Sequence, residues 1–281
     1  MYSGTLLTKH SGKFVGAHQK IDRVARRHLA LLLEDTNEKF PDIKSILKFE
    51  GKNGPDGIKS KSPAQDEPWH YLNPFNLDDN QIIELIQAHH RNLVQALKDK
   101  NHERSSFEAA WLAHALVDGL TPAHHYPYEQ ELIKLRGGQG IENRITIKEK
   151  LIMPGNNIQE QLLNNWKMWG TKGLMTTHGS FELGVASIIK PLTFSRNKPG
   201  THEIHDISTN GTVEIFKRKA REIASLDMYE QFYRNGWTAK LASQTRQTLA
   251  PSIISMVTLA WYDAAIKAKL VDKKTKQEDA S

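Results

Sequence analysis

Apolar side chains recur at three- and four-residue intervals along most of the chain, and that period predicts helices. Val15 to Leu33 carries Ile21, Val24, Leu29 and Leu32 with charges between them, as one amphipathic helix requires. Pro41 is placed to open a short helix ending near Phe49. Further helical patterns run over Asp79 to Leu97, Ser105 to Leu120, Ile158 to Trp169 and Met175 to Ile189. Ser105 and Glu108 have the spacing of a capping box for the second of these. Val213 to Leu270 reads as two or three helices interrupted near Gly236. Two stretches lose the period. Gly51 to Leu77 turns to Gly, Pro, Asp and Lys and predicts a long loop, and Ser195 to Thr212 predicts a second, polar one. Arg136 to Gly140 reads as a hinge or surface turn. No alternating strand pattern, internal repeat or dividing linker is evident. The simplest account is all-α, a single multi-helix bundle over residues 1–270 with a charged, disordered tail over 271–281.

Composition narrows the picture modestly. Of 281 residues, 38% are hydrophobic and 25% charged, which suits a soluble chain with a real core. The absence of cysteine excludes disulfides and thiolate sites, so any metal must be held by nitrogen and oxygen. A formal charge of +6 leans toward polyanionic partners, though the basic residues are scattered. The first residues lack the apolar core of a signal peptide, so the default location is cytoplasmic. Leu249 to Trp261, the longest apolar region, contains Pro251 and several hydroxyls and reads as a buried helix, not a membrane span.

The candidate chemistry centres on Trp111 to Glu129. His114 and Asp118 lie one helical turn apart and share a face. Pro122 must break that helix, and His124 follows the break, free to swing back toward the pair. Two imidazoles and a carboxylate converging at a helix end suit zinc. Other residues can join them. His18 lies near the start of the first helix, Asp56 and His70 lie in the long loop, and His178 with Glu182 forms another pair four residues apart. Together these eight offer too many ligands for one zinc ion and enough for a cluster. Asp22, also on the first helix, falls outside the pattern. His28, His89, His90 and His102 read as ordinary helix histidines, and His125 should face away from His124. His202, His205 and Asp206 read as a solvated loop, with a separate ion site as the alternative.

The order and spacing of these residues, His114-x3-Asp118 and then Pro122 two before His124, resemble the zinc-dependent phospholipases C and the fungal-type single-strand nucleases. Asp56 followed fourteen residues later by His70 also fits, as do His18 and the pair His178 and Glu182. Glu at 182 resembles the phospholipase branch more closely, because the nucleases tend to have Asp there. The resemblance implies a helical bundle around three zinc ions. Asp56, His70, His114 and Asp118 would hold one, and His124, His178 and Glu182 a second. His18 would hold a third with Asp118 as bridge. Two departures stand out. The family's mature chain begins with Trp, whose amino group and carbonyl oxygen complete the third site, but no Trp occurs here before Trp69. That site is then weak, empty, or completed by another group such as His10. The interval from His124 to His178 is also long for the family, and the extra chain can serve as a lid or alter substrate choice. Family members are mostly exported, which departs from the default location above.

The function so implied is phosphodiester hydrolysis by a metal-activated water, with two or three zinc ions as cofactor and Asp56 orienting or deprotonating the water. A phospholipid is the first-choice substrate. A single-strand nuclease is the alternative and would need aromatic platforms, for which Tyr71, Phe75, Tyr126 and Tyr128 are available. A non-catalytic metal-binding module is the second alternative. Oligomeric state is open.

Overall fold

Every regular element among the described residues is helical, in agreement with the apolar period. The computed structural model describes residues 1–4, 16–34, 39–59 and 61–278, with side chains through 269. Helix α1 (Ala17–Leu33) buries Ile21, Val24, Ala25 and Leu29, the face its sequence predicts. The short α2 (Ile43–Ile46) is capped by Asp42, whose carboxylate accepts from the amides of Lys44 and Ser45. The predicted loop over Gly51 to Leu77 is irregular but tightly folded, and it holds the short α3 (Pro55–Lys59). Backbone packs on backbone there: a Cβ on Gly57 would stand 2.0 Å from the carbonyl oxygen of Lys52. Only glycine fits beside Asp56 at that approach.

Helices α4 (Gln81–Lys98) and α5 (His102–Gly119) form a tight hairpin across Asp99, Lys100 and Asn101. The predicted capping box at Ser105 does not form. Asn101 caps the helix earlier, its side-chain oxygen accepting from the amide of Arg104. Glu108 is instead fully buried and engaged by His89 and Arg104. Helix α5 is enclosed on nearly every side, with Ala109, Ala110, Leu112, Ala113, Leu116 and Val117 all buried. It ends where Pro122 forces the chain to turn, and Pro122–His125 makes one further tight turn.

Beyond that turn lie α6 (Tyr128–Leu135), α7 (Ile147–Leu151), α8 (Ile158–Trp169) and α9 (Leu174–Ile189). Gly137 and Gly138 take positive φ and form the expected surface turn after α6. The predicted polar loop at Ser195 to Thr212 is a misreading: α10 (Thr201–Ala224) is helical from Thr201, with a break at Gly211. Its polar sequence hides a face, since Ile207, Ile215, Phe216, Ala220 and Ile223 are buried. Glu203 also ties it to the last helix, accepting a 2.6 Å hydrogen bond from Ser255. Helices α11 (Met228–Asn235) and α12 (Ala239–Gln244) are separated at Gly236, as expected, and a wide π turn over Thr245–Leu249 leads into α13 (Ala250–Glu278).

Helix α13 packs on α1, α4, α5 and α10 and forms the centre of the core. Ile253, Ile254, Val257 and Trp261 have no exposure, and the Trp261 indole donates to the carbonyl of Ala109 on α5 at 3.0 Å. The stretch Ala239–Lys269 is long and apolar enough to cross a membrane, but 78% of its most apolar window is buried, so it is a core helix. The helical backbone continues through Glu278, past the point where the sequence reads as tail, because Lys, Asp, Gln and Glu extend the helical register. Residues 279–281 lie outside the described part.

The core thereby fixes the end of α5. Gly119 abuts Phe216 of α10, where a Cβ would stand 2.6 Å from the ring. Gly119→Ala is expected to destabilise the fold by about 1–3 kcal/mol through overpacking, read as a lower urea midpoint at constant slope. An unchanged midpoint would show that Phe216 yields without cost.

Candidate metal centre

Asp118 projects from the last turn of α5 into a buried space. Its Oδ2 lies 2.5 Å from Nδ1 of His70 and 3.2 Å from Nε2 of His114. Its Oδ1 lies 3.2 Å from Nε2 of His18 and 3.9 Å from Nε2 of His124. The two oxygens therefore face different sets of residues, one drawn from the loop and α5, the other from α1 and the turn after Pro122. On the first side Asp56 lies 3.8 Å from His114, and Asp56, His70 and His114 offer ligand atoms within 4.8 Å of one another. On the other side His124, His178 and Glu182 do the same. Glu182 lies 2.8 Å from His124 and 3.2 Å from His178. All eight residues singled out in the sequence thus meet at one place: seven fall in His, Asp and Glu groups that can bind metal, His18 together with Glu50 and His114, and Asp118 lies between those groups.

The imidazoles are held for such a role. His124 donates from Nδ1 to the carbonyl oxygen of His70 at 2.8 Å, which leaves Nε2 facing the cluster. Nδ1 of His114 faces the Glu50 carboxylate at 3.2 Å, so its Nε2 is likewise directed at Asp118 and Asp56. Nε2 of His18 and Nε2 of His114 are buried with no aligned hydrogen-bond partner, although each lies 3.2 Å from Asp118. Buried imidazole nitrogens without partners are what a ligand set presents.

Charge in the cluster is strongly biased. Burial alone pushes the Asp118 carboxyl up. An amino group and the imidazoles of His124, His114 and His18 around it outweigh burial and hold it well below the usual carboxylate range. Glu182 is held low in the same way, chiefly by the amino group and His178 against burial. Burial drives His70 down to about 3 and His124 down to about 4, so both are neutral and able to ligate. For His114 burial is opposed by Glu50 and Asp118, and the balance lies well above the ordinary value.

Four further groups were not legible in the sequence. The amino group is that of Met1, which lies 2.5 Å from Asp118 Oδ1, 3.0 Å from Glu182 and 3.4 Å from His124. Burial would lower its pKa, but Asp118, Glu182 and Asp56 raise it to about 10. A cation thus stands between the Asp118 and Glu182 carboxylates. His10 lies outside the described residues. Glu50, fully buried, supports His114 from behind. Asp22 is no bystander of the pattern: it is 1% exposed, and burial together with Glu50 pushes its carboxyl well above the usual range. Lys59 lies 3.6 Å from Asp56; burial opposes its charge, but Asp56, Asp118 and Glu182 outweigh it and raise its pKa.

The remaining histidines lie elsewhere. His125 is turned away, with Nε2 2.9 Å from the Gly119 carbonyl oxygen. His89 pairs with Glu108 and His90 with Asp263. His28 is buried, His102 is exposed at the start of α5, and His202 and His205 are exposed on α10, on a helix where a loop was expected. The long interval between His124 and His178 braces the site. The amide of Ala64 donates to Arg144, and Lys150 donates to Ser62 and Glu67, clamping the loop that carries Asp56 and His70.

No family model, curated protein or solved structure matches this chain. The geometry therefore stands alone. Glu50→Gln keeps the shape but weakens the acceptor behind His114. It is expected to lower affinity for a divalent metal about 10–100-fold, measured by titrating the metal-stripped protein, with helical circular dichroism retained. Equal affinity would show that Glu50 only fills space.

Proposed function

We propose that the chain is a zinc-dependent phosphodiester hydrolase resembling the phospholipases C, with a phospholipid-type phosphodiester as substrate. The observation that carries this reading is the single buried carboxylate of Asp118, whose two oxygens face two separate His and acid sets. The donors are all nitrogen and oxygen, as the cysteine-free sequence requires, and the neutral imidazoles of His70 and His124 with the ionised carboxylates of Asp118 and Glu182 suit zinc. Asp56, His70, His114 and Asp118 would hold one ion, and His124, His178 and Glu182 a second. His18, Asp118 and the nearby amino group mark the place of a third. Bound zinc supplies Lewis acidity, lowering the pKa of water toward neutrality and offsetting charge on the phosphoryl oxygens.

The chain's own groups then divide the remaining work. Asp56 is held ionised below the usual carboxylate range: Lys59 and His114 outweigh the burial that opposes ionisation. So depressed a carboxylate is a weak base, and its role is to accept a hydrogen bond from the attacking water and fix its direction. Lys59, beside it, presents a positive charge to an anionic substrate. Glu50 holds His114 in one tautomer and one orientation. No serine or cysteine nucleophile is needed.

The aromatic residues favour lipid over single-stranded nucleic acid. Tyr71 and Tyr128 stack on each other at 5.2 Å, and Tyr128 is buried. Tyr126 is half-buried against Tyr229, which leaves Phe75 alone fully exposed among the four. A nuclease would present several free ring faces.

Protein prepared without chelators is expected to contain two or three zinc ions per chain by elemental analysis, and to hydrolyse short-chain phosphatidylcholine but not single-stranded DNA. Zinc near zero after loading would overturn the reading, and cleavage of DNA alone would replace it with the nuclease. Asp118→Asn removes the charge that lets one carboxylate serve two cations. It is expected to lower zinc occupancy and reduce turnover at least about a thousandfold, with the fold retained. Full activity in this variant would place the catalytic centre elsewhere.

A further inference from the structure

Helix α8 is mounted the wrong way round for a helix on a soluble surface. At about 100° per residue its sequence forms two faces. The inward face is carried by Asn164, Asn165 and Met168. Asn165 exchanges hydrogen bonds with both backbone groups of Met153, at 3.1 Å and 3.0 Å, and Asn164 donates to Pro154 at 2.8 Å. Met168 is buried against Tyr128. The outward face consists of Ile158, Leu162, Leu163, Trp166 and Trp169, whose exposure runs from 41% at Trp169 to 76% at Ile158. The Trp169 indole donates to the carbonyl of Leu151 at 2.8 Å, joining α8 to the end of α7, where Ile147 and Leu151 are exposed as well. The polar contacts fix this orientation, so the apolar face is held toward solvent by specific bonds. Exposed apolar area of this kind marks an interaction surface.

Its flanks identify the partner. Lys148, Lys167 and Lys172 are exposed beside the apolar stripe. The acids of the same segment are engaged in helix starts: Glu149 accepts from the amide and hydroxyl of Thr146, and Glu160 accepts from Asn156 at 2.7 Å. Leucine and tryptophan bordered by lysine form the composition of a helix lying in the lipid–water interface. A two-fold self-contact would instead gather the lysines of both copies into one interface. We infer that α7 and α8 form a membrane-docking face for an anionic phospholipid surface. The clamp from Lys150 to Ser62 and Glu67 connects α7 to the loop bearing Asp56. The inference concerns binding only and holds whether or not the centre turns over lipid.

The test is co-sedimentation of the full-length protein with phosphatidylcholine vesicles, with and without phosphatidylserine, read without turnover. The protein is expected to pellet with the anionic vesicles and to show a blue shift in tryptophan emission. The paired change Leu162→Ser and Trp166→Ser is expected to weaken partitioning at least about tenfold, with circular dichroism unchanged. Replacing Lys148, Lys167 and Lys172 by Gln is expected to weaken binding to anionic vesicles roughly fivefold per lysine and to flatten its salt dependence. Three results would overturn the inference: no binding by the parent protein, equal binding by the Leu162 and Trp166 variant, or a dimer in sedimentation velocity that this variant dissolves. Vesicle binding without hydrolysis of any phosphodiester would refute the proposed activity and leave the docking face standing. Hydrolysis of a soluble phosphodiester without vesicle binding would do the reverse.

Discussion

The Asp118 carboxylate is withdrawn from water, and a buried charge of that kind persists only if donors and cations surround it. That requirement organises much of the molecule. It brings together α1 through His18, the long loop through His70, the turn after Pro122 through His124, and Met1 through its amino group. Removal of one buried partner leaves the others uncompensated, so these segments depend on one another. The arrangement is expensive as a purely structural device, because apolar side chains would fill the same volume without desolvating charge. A cluster of this cost is consistent with a site kept for what it binds.

The helical core supplies the rigidity that such a site needs. Helix α5 is enclosed by α4 and α13, and its last turn is pinned between Phe216 and the break at Pro122. Two members of the second candidate set come from α9, where His178 and Glu182 are one turn apart on one face. The irregular loop would be the weak part. It is held by close backbone packing at Gly57 and by the clamp from Arg144 and Lys150.

What could be read in advance followed from local spacing. The helices with a strong apolar period were legible, and so was the helix break at Pro122 between Asp118 and His124. Seven of the eight predicted ligands belong to a short pattern: a pair one turn apart, a His after a Pro, or a polar residue in a loop that must be tied down; His18, a lone histidine on the first helix, belongs to none. Residues that act through distance in sequence were not legible. Glu50 reaches His114 from 64 residues away, and no local pattern marks it. The amino group of Met1 has no side-chain signature at all. Asp22 looked like an ordinary charge on an amphipathic helix, whereas it faces inward toward Glu50. The N-terminal half of α10 was hidden by its polar composition, and tertiary packing on α13 overrode that weak local signal. Helix α8 was recognised as a helix, but its period could not tell which face turns inward; the hydrogen bonds of Asn164 and Asn165 decide that.

On the proposed reading, the two His and acid sets that face the Asp118 oxygens hold metal. Anomalous X-ray scattering from crystals of zinc-loaded protein, collected on either side of the zinc absorption edge, tests it directly. The account predicts one peak among Asp56, His70, His114 and Asp118 and a second among His124, His178 and Glu182. Any third peak should lie between His18 and Asp118. A map without zinc peaks in this cluster, or with zinc only at surface histidines such as His202 and His205, would contradict it.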